Sequence, residues 1–161
     1  MPDGLYDTDL LAWSREQAER LRCVAAGERV NDVDWANVIE EIESVGRSDM
    51  KAVRSLFTNA IAHALKIVAW PDDWAVRHWQ VEAGDFLFQG RERFEPSMRQ
   101  LFVLDRLYEG ALHEVAKASL KHRAPSLPIP DAAPFTLDDL LRADFRIEDL
   151  IARLRDAAPP A

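Results

Sequence analysis

Apolar residues in this chain recur at spacings of three and four rather than two. Sustained alternation is missing, and no tight-turn dipeptide separates two alternating runs, so the pattern predicts helices and no sheet. A first helix is expected from a cap at Thr8 to about Ala26, with Gly27 ending it. Leu10, Trp13, Gln17 and Leu21 share one of its faces, with Leu11 and Ala18 beside them. Asp34 can cap a short second helix carrying Trp35, Val38, Ile39, Ile42 and Val45 on one side, which Gly46 stops. Ser48 then caps a long third helix reaching Trp70, just before Pro71. Its apolar face reads Val53, Leu56, Phe57, Ala60, Ile61, Ala64 and Val68.

Asp72 or Asp73 opens a fourth helix, over about 73–91, that weakens near Gly90. It carries two apolar sides. Ala75, Trp79, Ala83, Phe86 and Gly90 form one, while Trp74, Val81 and Phe88 recur every seven residues almost opposite. Such a helix either sits centrally or buries its second side against something else: the proline-rich segment, the C-terminal helices or another copy of the protein. Pro96 stands at the first position of a fifth helix running to about His122, with Leu101, Leu104, Tyr108, Leu112 and Val115 turned inward. Pro125, Pro128, Pro130 and Pro134 impose an extended strap over 124–135. Thr136 with Asp139 has capping-box spacing for a short helix, and a last helix covers roughly 147–156. Short connections favour antiparallel neighbours. The expectation is therefore all-α: one domain over 1–161, an antiparallel bundle of about four long helices with short bracing and C-terminal helices. Residues 1–6 and 157–161 are expected to fray.

Composition narrows this picture without changing it. Hydrophobic residues at 48% and charged residues at 30% suit a folded globule. The net charge of -8 argues against non-specific nucleic-acid binding. The single cysteine, Cys23, permits no internal disulfide and no thiolate zinc site. The opening Met1-Pro2-Asp3-Gly4 has none of the basic and apolar character of a secretion signal, and no apolar run approaches the roughly 20 residues that span a bilayer. A soluble protein of the cytoplasm is expected, without cofactor, nucleic-acid or membrane partner.

Several stretches resemble a bacterial family catalogued only as domain of unknown function 29. They are Tyr6-Asp7-Thr8-Asp9 with Ala12-Trp13, Glu16-Gln17-Ala18, and Asp34-Trp35-Ala36-Asn37 through Glu40-Glu41-Ile42-Glu43-Ser44-Val45-Gly46-Arg47-Ser48. Further matches are His63-Ala64-Leu65-Lys66, Trp79, Tyr108-Glu109, and Pro134-Phe135-Thr136-Leu137-Asp138-Asp139-Leu140-Leu141 ending in Asp144-Phe145. The resemblance implies an all-helical fold and no established activity.

Candidate chemistry is sparse. Glu41 and Glu43 fall on opposite shoulders of the second helix's apolar face, and Glu43 can pair with Arg47 four residues on. Asn59, His63 and Lys66 make a polar stripe beside the core face of the third helix. His63 there is either a hydrogen-bonded packing residue or a titrating group or metal ligand. Should the second helix fold across the third, Glu41 or Glu43 could meet His63. His78 and Glu82 are spaced for a simple pair on the fourth helix. Asp105 lies within the inward face of the fifth helix, where a buried acid requires a partner such as Arg54, Lys66 or His63. The di-iron bundle signature, the zincin motif, phosphate-cradling glycine loops and the nucleophile elbow are all missing. His63, His78, His113 and His122 could gather around one metal, but their spacing does not require it.

Two functions follow. The first is a non-catalytic interaction or assembly module associating through Trp74, Val81 and Phe88, with a second copy or another protein as partner. The alternative is a hydrolase-like or metal-assisted enzyme built on Glu41, Glu43, His63, Lys66 and Asp105, with His63 and Glu43 the candidate metal ligands.

Overall fold

The computed structural model describes residues 4–121 and 123–160. All regular structure among them is helical, in the order α1 (Leu5–Thr8), α2 (Leu10–Ala25), α3 (Trp35–Ala69), α4 (Val76–Arg93), a 3-10 helix (Pro96–Leu101), α5 (Leu104–Lys121), α6 (Leu137–Leu141) and α7 (Ile147–Asp156). The expected end of the fifth helix at His122 lies outside the described residues. The chain divides into two compact units, 1–48 and 49–161.

In the first unit Asp9, not Thr8, caps the long helix: its carboxylate accepts the Ala12 amide at 2.9 Å. Thr8 instead closes the single turn of α1. The α2 terminus follows expectation. Gly27 takes φ 84°, its amide bonds the Val24 carbonyl, and the Glu28 amide bonds that of Cys23. These are the paired bonds of a left-handed glycine terminus. Trp13 and Gln17 are buried, and Trp13 packs with Val33 and Val38. The Gln17 amide oxygen receives the Asp34 N–H at 2.9 Å, and the Asp34 carboxylate accepts from Trp13 Nε1 at 3.2 Å and Asn37 Nδ2 at 2.7 Å. Asp34 thus anchors the start of α3, and those bonds, the one from Asn37 foremost, hold its carboxyl below the usual range.

The expected break between a second and third helix is absent. One helix runs from Trp35 to Ala69 through Gly46 and Ser48. Gly46 costs a helix interior only about 1 kcal/mol relative to alanine, which the surrounding run of good helix formers outweighs.

The second unit has one core. Val53, Phe57, Ala60, Ile61, Ala64 and Val68 of α3 are all buried in it, as the periodicity predicts, while Leu56 of the same expected face is only partly buried. Leu107, Tyr108, Ala111 and Val115 of α5 join them, with Leu150, Ile151 and Leu154 of α7. The expected fifth helix is interrupted. The 3-10 turn from Pro96 ends in extended Phe102, whose ring meets Phe57 and Phe94 edge-on at 6.2 and 5.4 Å. Seating that ring shifts the helical phase, so Leu101 is 57% exposed rather than inward, while Leu104 and Leu112 stay partly buried. The proline-rich strap is pinned at its start and at its middle. Trp70 Nε1 donates to the Ala124 carbonyl at 3.0 Å, and the buried Tyr108 hydroxyl donates to that of Pro130 at 2.8 Å. Burial pushes the Tyr108 phenol up to about 12. The expected capping box of Thr136 and Asp139 is present. Arg153 of α7 adds two bonds to the same Asp139 carboxylate.

Candidate functional site

The periodicity that buries α3 leaves His63 and Lys66 half-buried at the edge of its core face. α4 brings Glu82 against them. His63 Nε2 lies 3.0 Å from one Glu82 oxygen, and His78 Nε2, one turn back on α4, lies 3.2 Å from the other. One carboxylate thus bridges two histidines of very different exposure: the His63 side chain is 15% exposed and that of His78 is 67%. His63 Nδ1 faces the Asn59 carbonyl at 2.9 Å, and its ring meets Phe86 edge-on at 5.5 Å. Since a carbonyl only accepts, Nδ1 carries a proton, and the Glu82 contact needs a second one on Nε2 or on the carboxylate. Burial first, then the Lys66 charge, lowers the His63 pKa, outweighing the opposing pull of Asn59 and Glu82. Burial lowers Lys66 too, against the attraction of Glu114 and Glu82.

A histidine–carboxylate pair can serve acid–base chemistry when a reacting group lies within reach. Here the hydrogen-bond partners of His63 are a helix carbonyl and Glu82, and no hydroxyl or thiol joins them among the described residues. No group of three or more His, Cys, Asp or Glu side chains among the described residues is placed to hold a metal ion.

The other candidates go elsewhere. With Trp35–Ala69 a single helix, the turn on which a meeting of Glu41 or Glu43 with His63 depended does not exist. Glu41 accepts the Tyr6 hydroxyl at 2.6 Å, a bond that pushes the phenol up to about 12. Glu43 makes the expected helix-surface pair with Arg47, at 3.5 Å. Asp105, expected inward, is exposed in the first turn of α5, because the break at Phe102 rotates it out, and it needs no buried partner. Cys23 is partly exposed, and Glu28 beside it pushes the thiol pKa up, away from a reactive thiolate. Of the expected set, the structure brings His63 and Lys66 together. Glu82 is the partner that sequence reasoning missed; its spacing from His78 was visible, its place opposite His63 was not.

The second side of α4 is open. The helix begins at Val76, so Trp74 stands in the preceding turn rather than within it. Trp74, Val81 and Phe88 are 92%, 65% and 62% exposed, and neither the proline-rich strap nor the C-terminal helices cover them. The opposite side is buried as expected, with Ala75, Ala83 and Gly90 in contact with the interior. Next to Val81 and Phe88 a groove of about 600 Å³ opens between α4 and the start of α7, floored near Gly84 and walled by Ile147. Arg91 frames it. Its guanidinium donates to the Leu140 and Phe145 carbonyls at 2.6 and 2.5 Å, tying the C-terminal helices to α4.

These features define an all-helical protein with a polar histidine–carboxylate cluster and an uncovered apolar helix face. The chain belongs to the family described as domain of unknown function DUF29, whose model matches residues 5–146. It is similar to an alpha-helical protein of unknown function from Rhodospirillum rubrum, known from a crystal structure, with 26% sequence identity and a TM-score of 0.71 over 92% of this chain and 96% of that one. No curated protein matches the chain.

Proposed function

We propose that this protein is a helical interaction module that binds another protein chain through the outer face of α4. The observation that carries the reading is the exposure of Val81 and Phe88 on α4, and of Trp74 in the turn just before it, while the opposite side of the helix packs on the core. Exposed apolar patches of this kind are costly in water and mark contact surfaces, and tryptophan anchors are enriched where interfaces concentrate their energy. The neighbouring groove adds a concave apolar wall beside Val81 and Phe88. An enzymatic reading built on His63 has less support, because among the described residues no hydroxyl or thiol joins its carbonyl and carboxylate partners. We place the module in the cytoplasm on its lone cysteine and on the finding that no described helix is long and apolar enough to cross a membrane.

The test is site-specific photocrosslinking in living cells. A benzophenone side chain at Phe88 is expected to yield a discrete adduct with a protein chain, which Trp74→Ala weakens. The same probe at exposed Arg155 on α7 should yield none. Absence of any protein adduct at Phe88 would sink the reading.

A further inference from the structure

We infer that the occupant of the α4 face is a second copy of this chain, its α4 running antiparallel to the first across a two-fold axis at Val81. The inference rests on the proposed role of that face and goes further by naming the partner and its register. At 100° per residue, Arg77 and Asp85 lie within about 40° of Val81, one turn to either side, so they share the outer face with Phe88. Both are exposed, and among the described residues neither has an ion-pair partner of its own, although His78 and Glu82 beside them do.

A two-fold contact must be self-complementary: what residue i meets on the partner must equally meet residue i. Few helix faces satisfy this by accident in both charge and shape. An axis at Val81 sets each valine against its twin. Residues equidistant from it then oppose one another, so Arg77 of each copy faces Asp85 of the other, giving two opposite-charge pairs where a parallel arrangement would set Arg77 against Arg77. The turn that precedes α4 carries the projecting Trp74 of one copy toward Phe88 of the other, at the mouth of the groove floored by Gly84. A Cβ added at Gly84 would meet nothing nearer than Ile147 at 4.0 Å, so the floor is open to an incoming ring. Knob and hollow are both present on each copy, and the antiparallel pairing uses both twice.

Sedimentation velocity on the purified full chain, over a concentration series, is expected to show a reversible monomer–dimer equilibrium. Arg77→Asp alone, or Asp85→Arg alone, sets like charges opposite each other and should weaken the dimer by about tenfold or more. Combining the two reverses both pairs and should restore it. In a Cys23→Ser background, Val81→Cys should form a disulfide-linked dimer under mild oxidation, because only a residue on the axis meets its own twin. Circular dichroism on each variant confirms that these exposed substitutions leave the helices intact. A protein that stays monomeric, a dimer indifferent to the swaps, failure of the combined variant to recover, or growth beyond the dimer each overturns the inference. A monomer that still gives a heterologous adduct at Phe88 in cells overturns this inference alone; a monomer with no adduct removes the interaction reading as well.

Discussion

Two glycines show how the same residue type means opposite things in two helices. A Cβ at Gly90 would come within 2.8 Å of the Phe57 ring, which is fully buried against α4. Helix propensity alone would favour alanine there by about 1 kcal/mol, but forcing a methyl into a packed aromatic ring costs about 1–3 kcal/mol, so Gly90→Ala should destabilise. At Gly46 nothing beyond its own helix turn lies within 4 Å of the added carbon, and Gly46→Ala should stabilise by about 0.5–1 kcal/mol. Urea unfolding of both variants checks the pair of signs. Asp139 carries a different kind of weight. Its bonds from the Thr136 amide, then the Thr136 hydroxyl and Arg153, hold its carboxyl below the ordinary range. A lowered folded pKa means that the carboxylate's stabilisation is complete above the unfolded value near pH 4 and fades as the pH drops through the lower folded value. Asp139→Asn should therefore cost about 1–3 kcal/mol at neutral pH, with the gap from the parent closing on acidification below about pH 4 in the same unfolding assay.

At the level of elements, Arg91 is the α4 side chain that reaches both C-terminal segments, while Gln80 bonds Glu148 of α7 at 3.1 Å. Arg91 reaches carbonyls at the end of α6 and just before α7, and its replacement leaves both without that charged donor. Arg91→Met, which keeps much of the apolar stem, should lower stability by about 2 kcal/mol or more and speed amide hydrogen exchange over 140–154 before the rest of the unit. Element positions were mostly legible in the chain. The α2 terminus at Gly27, the Thr136–Asp139 capping box and the start of α7 are local signals, and each stands where its residues place it. The misreadings also have local causes. Gly46 and Ser48 look like a stop and a start, yet a 35-residue helix absorbs them. The break at Phe102 has no breaker residue at all: an aromatic pocket made by Phe57 and Phe94 pulls the backbone into extended geometry.

For the molecule as a whole, charge and apolar surface point to different partners. A net charge of -8 repels the phosphate backbone, and a duplex DNA fragment should show no retardation in a gel with the purified chain at about 0.15 M salt. The acidic residues do not hide the α4 face, where Arg77 and Asp85 flank Val81 and Glu92 follows further along. Association through apolar surface is therefore compatible with an acidic protein. The proposed interaction role would place function on the outside of a helix rather than in the histidine–carboxylate cluster between α3 and α4.

Helix content, the ends at Gly27, Asp34 and Thr136–Asp139, and most of the buried face of α3 came from the chain alone, because they depend on residues within a turn or two of each other, and a spacing of three to four reports which side a residue occupies. The seven-residue recurrence of Trp74, Val81 and Phe88 was likewise readable, but not whether anything covered it. Only the packed molecule decided that those side chains stay open, that Glu82 rather than Glu41 or Glu43 meets His63, and that Asp105 turns outward. Each of these depends on the axial register of one helix against another, which is chosen by the collective fit of the core and leaves no periodic trace in the residues that happen to face each other.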